Sequence, residues 1–311
     1  MPGGRGLFAE RSRLYDRLVY HICRGQTRAA FATVSLRMGL CYNAASVERS
    51  RVGHSMTRII VIANQKGGVG KSTSAMNLGL AFTEKGQRVL LIDLDPQGGL
   101  TAAFGIDSYD IRRSAFSLIM YSHVSLARVM RPVRNNLALV PASIDLAASE
   151  VQLAGVPDRA QRLRVSLRRG QLPFDYVLID TPPGLGILAA NGLVAADEVL
   201  IPVQCQYLAM RGVRALMDTI VRVKKNLNPT LRLTGLFGTM YRADSVHAQE
   251  VVDELRAVFG KRMFQTLIQY DDAVAEAPIV GLSVLEYMPR HPIAQGYRAL
   301  AEEVMRGSVE S

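Results

Sequence analysis

The run Lys66, Gly67, Gly68, Val69, Gly70, Lys71, Ser72, Thr73 holds the residue types that phosphate chemistry needs, in a workable order. Glycines let successive backbone N–H groups turn toward phosphate oxygens, and a helix opening at Lys71 adds the positive end of its dipole. Lys71 supplies a point charge for β- and γ-phosphates, and the Ser72 hydroxyl is a hard oxygen ligand for Mg²⁺. The general pattern G-x-x-x-x-G-K-[ST] fails here, because Gln65 stands where its first glycine belongs. Lys66 instead puts a second lysine at the head of the loop. Three carboxylates follow: Asp93 and Asp95 in VLLIDLD (89–95), and Asp180 closing YVLID (176–180). Asp93 and Asp95 are expected to serve different tasks.

These residues need elements to hold them. Residues 58–64 (RIIVIAN) read as a strand feeding the loop, and 71–85 as a helix with Ala75, Leu78 and Phe82 on one face and Gly86 as its stop. The apolar run 88–95 is the kind of strand buried on both sides of a parallel sheet. Further strands are expected at 137–142, 176–182, 198–203, 233–240 and 264–269, with helices at 210–227, 246–259 and 294–305. Strands alternating with helices predict βαβ units and a three-layer α/β fold on a doubly wound, mostly parallel sheet. No internal repeat or linker interrupts 56–311, which reads as one domain.

NQKGGVGKST (64–73), VLLIDLDPQGGLT (89–101) and DYVLIDTPPGLG (175–186) together resemble the deviant Walker A ATPases of the ParA/Soj partitioning type, within the ParA/MinD superfamily. The resemblance runs over residues 56–304 and implies a P-loop NTPase fold that binds ATP with Mg²⁺ and hydrolyses it slowly. It implies that residues 66–73 (Lys66 to Thr73 as named above) cradle the phosphates. It assigns catalysis to Lys66, Lys71 and Asp95, and the magnesium to Ser72, Asp95 and Asp180. Lys66 is expected to reach the partner's ATP in an ATP-bound homodimer, Asp95 to orient the attacking water, and Asp93 to support it. Residues 181–186 (TPPGLG) are expected to act as a switch loop sensing the γ-phosphate. A ParB-like centromere-binding protein is the implied partner, double-stranded DNA the implied non-specific ligand, and the nucleoid in the cytoplasm the implied location. DNA contacts are expected from basic residues of the C-terminal half, chiefly Arg222, Lys225, Arg242 and Arg262. Residues 269–273 (QYDDA) depart from the family, which often has a Pro-Arg-rich turn flanking the adenine there.

Charge alone says less. The net +10 is uneven: residues 1–55 hold nine Arg and three acids, and residues 56–311 hold 28 basic and 24 acidic residues. The first 55 residues therefore read as an Arg-rich N-terminal extension, expected to be disordered. A basic arm, a targeting peptide, or a mis-assigned start ahead of Met56 would each account for it, and the last is favoured. Three cysteines without a CxxC pair argue against a disulfide framework or zinc site, and Cys205 is expected to be a small buried hydrophobe. Asp175 is expected to be solvated. His247 and His291 show no ligand spacing. No run reaches the ~18–20 apolar residues of a membrane-spanning helix.

Three alternatives share the superfamily's loop. A ParA-like positioner of non-DNA cargo is hard to separate by sequence. A MinD-like membrane-surface regulator needs an amphipathic basic C-terminal helix, and AEEVMRGSVES carries Glu302, Glu303 and Glu310 instead. A reductase iron protein of the nitrogenase type needs two core cysteines per chain, and residues 56–311 have only Cys205.

Overall fold

The computed structural model describes residues 56–206 and 209–307. The segment 1–55, with every reading of it above, lies outside these residues, as does the tail beyond Gly307. Eight strands form one sheet in the order β3-β4-β2-β5-β1-β6-β7-β8. They are β1 (Arg58–Ile62), β2 (Val89–Asp93), β3 (Arg131–Arg134), β4 (Leu137–Val140), β5 (Tyr176–Asp180), β6 (Glu198–Gln204), β7 (Arg232–Tyr241) and β8 (Met263–Gln269). All pairings are parallel except β3 on β4 at one edge. β3 was not expected from sequence: RPVR is short and polar, and its proline suits only an edge strand.

Between the strands run α1 (Lys71–Glu84), α2 (Arg162–Leu167), α3 (Ile187–Ala195), α4 (Ala209–Asn226), α5 (Val246–Phe259) and α6 (Pro292–Arg306), with shorter helical turns. The central strands are buried along their whole length, and alternation divides their side chains between two cores. Ile59, Val61, Leu90, Ile92, Val177 and Ile179 pack with Leu163, Leu193, Leu216 and Leu255 from α2, α3, α4 and α5. Ile60, Ile62, Val89, Leu91 and Leu178 pack on the other face with Leu78 and Phe82 of α1 and Tyr297 and Leu300 of α6. This is the expected three-layer, doubly wound arrangement. Gly79 sets the α1–sheet distance, since a Cβ there would come within 2.9 Å of a Leu91 methyl. Gly86, at φ 78, turns the chain out of α1.

At the N-terminal edge of the sheet a polar knot ties β1 to β6 and α6. Glu198 is buried, and its oxygens accept from Arg58 Nε (2.8 Å) and Nη2 (2.7 Å) and from Thr234 Oγ1 (2.6 Å). Arg58 Nη2 also donates to the Val304 carbonyl at the end of α6. Burial opposes ionisation of Glu198, but the Arg58 and Thr234 hydrogen bonds and the Arg58 charge outweigh it, and its pKa lies below the ordinary glutamate value. Asp175 is not simply solvated: the Arg88 side chain (Nη2 to Oδ1, 2.9 Å) and backbone N–H both hold it, and the first of these lowers its pKa.

Removing one partner of a buried ion pair leaves the other uncompensated, so Glu198→Ala should cost about 3 kcal/mol in urea unfolding at pH 7. Because the folded-state pKa is depressed, Glu198 stabilises above its unfolded value near 4.5 and the contribution fades as pH falls through the lower, folded value. The gap between wild type and variant should therefore stay constant above about pH 5.5 and narrow in acid. A gap that widens in acid would contradict the pairing.

Candidate active site

Parallel strands bring their C-terminal ends to one edge, where an open α/β sheet places its ligands. The register puts Asp180 level with both Ile62 and Asp93, so the phosphate loop and two carboxylates meet at neighbouring strand ends. The loop between β1 and α1 is held from several sides. Asn64 Nδ2 donates to the Pro202 carbonyl (2.6 Å), and the Lys66 N–H returns to Asn64 Oδ1 (3.0 Å). The Gly184 N–H donates to the Gln65 carbonyl (3.1 Å), which joins the loop to residues 181–186. Thr239 Oγ1 of β7 donates to the Val69 carbonyl (3.0 Å). Gly68 and Gly70 take positive φ of 70 and 83, and Gly70 leads directly into α1. Space around Gly68 is open, so it is the backbone conformation that requires glycine there.

The loop curls around its own lysine. Lys71 is buried, and its ammonium donates to the Lys66 carbonyl at 3.1 Å. Burial lowers its pKa against the pull of Asp180 and Asp95. Lys66 is exposed, and its ammonium rests on Gln204 Oε1 (2.7 Å) at the end of β6. Gly67, Gly68 and Val69 form the crown between the two lysines, and Ser72 and Thr73, both half-buried, open α1 beside a cavity of about 170 Å³. A cavity of about 280 Å³, lined mainly by apolar residues such as Leu126, Met130, Leu172 and Phe174, lies at the opposite edge, away from every charged group of the loop.

The carboxylates differ in setting. Two residues apart on one strand, Asp93 and Asp95 would share a face, but β2 ends at Asp93 and Asp95 lies in the following turn. Burial separates the two instead. Asp93 is fully buried and accepts from the Asp95 N–H (3.0 Å), the Thr101 N–H (2.9 Å) and Thr101 Oγ1 (2.7 Å). Thr101 Oγ1 in turn accepts from the Ala142 N–H (2.8 Å). Burial pushes the Asp93 carboxyl up to about 6 against those hydrogen bonds. Asp95 is half-buried; its Oδ1 accepts from the Gln97 N–H (2.9 Å) and caps the turn. Asp180 is fully buried, and neither carboxylate oxygen has a partner at hydrogen-bonding geometry. Burial, and then the neighbouring Asp93, hold its pKa well above the ordinary range, while Ser72 and Lys71 pull it down.

Sequence reasoning missed the groups that position the loop: Asn64, Thr101, Gln204 and Thr239. Their signal was a polar residue at or just past the end of an apolar strand, or one turn into the helix after it. Outside the site, Cys205 is buried and burial pushes its thiol up to about 11, as suits a small hydrophobe. Of the four basic candidates, only Arg222 and Lys225 share a surface, the exposed side of α4. Arg242 leaves β7 at the loop edge with its guanidinium 4.7 Å above the Tyr270 ring. Arg262 precedes β8 at the opposite edge and donates to the Leu233 carbonyl. In the departing segment 269–273, Asp271 lies 3.4 Å from His291, and Tyr270 donates to Asp272.

A glycine-rich loop closed on a lysine, two carboxylates at adjoining strand ends and a parallel sheet define a P-loop nucleoside triphosphatase. A family model described as an AAA domain (AAA_31) matches residues 57–233. The chromosome-partitioning ATPase Soj of Treponema pallidum is 41% identical over 254 residues, covering 80% of this chain and 98% of that protein. Soj of Thermus thermophilus is 43% identical over 248 residues, covering 80% and 95%. A crystal structure of cobyrinic acid a,c-diamide synthase from Mycobacterium smegmatis, with bound ATP analog and magnesium, superposes with a TM-score of 0.71 at 34% identity, covering 82% of this chain and 97% of that one. The chain belongs to the ParA/Soj family of ATPases.

Thr101→Val removes a hydroxyl while keeping its shape. It leaves an Asp93 oxygen and the Ala142 N–H short of a partner, and should cost about 1–3 kcal/mol in chemical denaturation. A loss below about 0.5 kcal/mol would show that the hydroxyl does not hold the carboxylate.

Proposed function

We propose that this protein is an ATP-hydrolysing partitioning protein that dimerises on ATP, binds DNA without sequence preference and segregates chromosome or plasmid DNA with a ParB-like partner. The observation that carries the reading is the pair of lysines. Lys71 closes the loop from inside by donating to the Lys66 carbonyl, whereas the Lys66 side chain at its head is exposed and donates to Gln204. An exposed cation at the mouth of a phosphate site is placed to serve a nucleotide held by a second copy. Relatives that match over nearly their whole length are named as partitioning ATPases, which favours this role over the amide-forming chemistry in the name of the diamide synthase.

The residues fit ATP and magnesium. Asp180 is a buried carboxylate with both oxygens unpartnered, facing the Lys71 charge and the Ser72 hydroxyl. Hydroxyl and carboxylate oxygens are the donors Mg²⁺ prefers, with phosphates and water completing its shell. Ser72 and Asp180 would hold it, with Asp95 nearby; when bound, it supplies charge neutralisation for the phosphates. Lys71 gives up the Lys66 carbonyl for the phosphates, and backbone N–H groups of 67–73 bind their oxygens. Asp95, whose Oδ1 caps its own turn, orients the attacking water, and Asp93 fixes Asp95 through its backbone.

Size-exclusion chromatography with light scattering and a phosphate-release assay test these roles together. Lys71→Ala should lose ATP binding. Asp95→Ala should form ATP-dependent dimers with turnover reduced at least about 100-fold, the scale of removing a positioned proton acceptor. Lys66→Ala should bind ATP as a monomer; normal dimers and turnover in that variant would refute the role of Lys66 between subunits.

A further inference from the structure

The structure gathers on one layer a charge that the sequence scatters over some seventy residues. α3 is buried almost throughout, covered on one side by α2 with the helical turn Arg159–Gln161 before it, and on the other by α4. Residues 159–170 contain five arginines and no acid. Arg164 and Arg168 fasten this segment to the body, through the Leu227 carbonyl just past α4 (3.1 Å) and through Asp197 (2.9 Å). Arg159 and Arg169 are exposed, and neither has an ion-pair partner among the described residues.

Across α3, Arg211, Arg214, Asp218, Arg222 and Lys225 recur three or four residues apart on α4. They lie opposite its buried stripe of Val213, Leu216, Ile220 and Val223. Lys224 and Lys225 in the last turn complement the helix dipole, which is reason enough for them. Arg211 and Arg214 sit in the first two turns, where the dipole disfavours cations, and no acid in the first turn offsets them. Helix stability does not explain them. Asp218 is the only acid in these two segments, with Asp158 just ahead of the first. The neighbouring α5 carries Glu250, Asp253 and Glu254, so the basic surface ends there.

We propose that residues 159–170 and the outer face of α4 form one surface for the phosphate backbone of duplex DNA, with Arg159 and Arg169 contributing alongside the α4 stripe. Arg forks match phosphate oxygens and carry no sequence preference. From Arg211 to Lys225 the stripe spans about 21 Å at 1.5 Å per residue, room for about six phosphates of one strand at ~3.4 Å rise. The surface is poor in large apolar side chains, with Val165 and Val221 the exposed exceptions, which suits a duplex better than a protein partner needing apolar anchors. This inference rests on the reading that the protein acts on DNA.

Fluorescence anisotropy of the full-length protein with a labelled 24-base-pair duplex of arbitrary sequence, at saturating ATP over a KCl series, is the test. Arg159→Ala/Arg169→Ala and Arg211→Ala/Arg214→Ala should each weaken binding at least about fivefold and lower the slope of log K against log[KCl] by about 2. Arg306→Ala, on the opposite layer, should change neither. The first double variant should keep its thermal midpoint and basal ATPase rate, which excludes simple misfolding. Unchanged affinity and slope in that variant, with wild type binding normally, would overturn the inference and leave the DNA reading standing. No duplex binding by wild type would sink both. Displacement of the duplex by polyglutamate at equal charge would point to an acidic protein and overturn the DNA assignment of this surface.

Discussion

A carboxylate buried without a hydrogen-bond partner is the constraint on which this edge of the sheet depends. Leaving Asp180 in an apolar sheet costs free energy that a protein-only arrangement does not return, because its oxygens find neither backbone nor hydroxyl donors at bonding geometry. The same burial that raises Asp180 and Asp93 lowers Lys71. All three groups are pushed toward neutrality. A ligand that brings both cation and phosphate gives Asp180 a partner and gives Lys71 a stronger acceptor than a carbonyl. The site is thus electrostatically incomplete by construction, and the apolar central strands make it so.

Holding an incomplete site in shape falls to its neighbours. Three carbonyls of the loop are met from different segments: Gln65 by Gly184, Val69 by Thr239, and Lys66 by Lys71. Asn64 adds a clasp onto β6. Because residues 181–186 are bonded directly to the loop that receives the phosphates, a shift on either side is felt on the other without an intermediary. Only the Lys66 bond reaches an exposed side chain, and it is the contact most easily exchanged for another.

The phosphate loop was legible because its chemistry leaves few substitutes: left-handed backbone at Gly68 and Gly70 demands glycine, and the lysine and hydroxyl must follow at fixed spacing. The sheet was legible because strands buried on both faces are continuous apolar runs. Asp95 was harder. It follows an apolar run, and sequence cannot tell the last strand residue from the second residue of a turn. The edge strand at Arg131–Arg134 escaped for a related reason, since an edge needs no apolar character. Thr101, Gln204 and Thr239 were invisible because their function is to hydrogen-bond residues far along the chain.

Charge is where sequence and structure differ most in what they can say. The net +10 is a sum, and a sum does not locate a surface. Arg58, Arg88, Arg134 and Arg298 are each paired with a particular carboxylate. Arg262 is exposed and donates to the Leu233 carbonyl. Among the described residues, one group of cations lies together on the layer that covers α3, bounded by the acids of α5 and on a flank of the sheet rather than at its phosphate edge. Two anion-seeking regions of different character result. One is a cradle whose inner cation, Lys71, is buried with its pKa lowered by that burial. The other is an open helical face whose cations stay solvated, so its hold on any polyanion is set by counterion release and fades with salt in a way the cradle's does not.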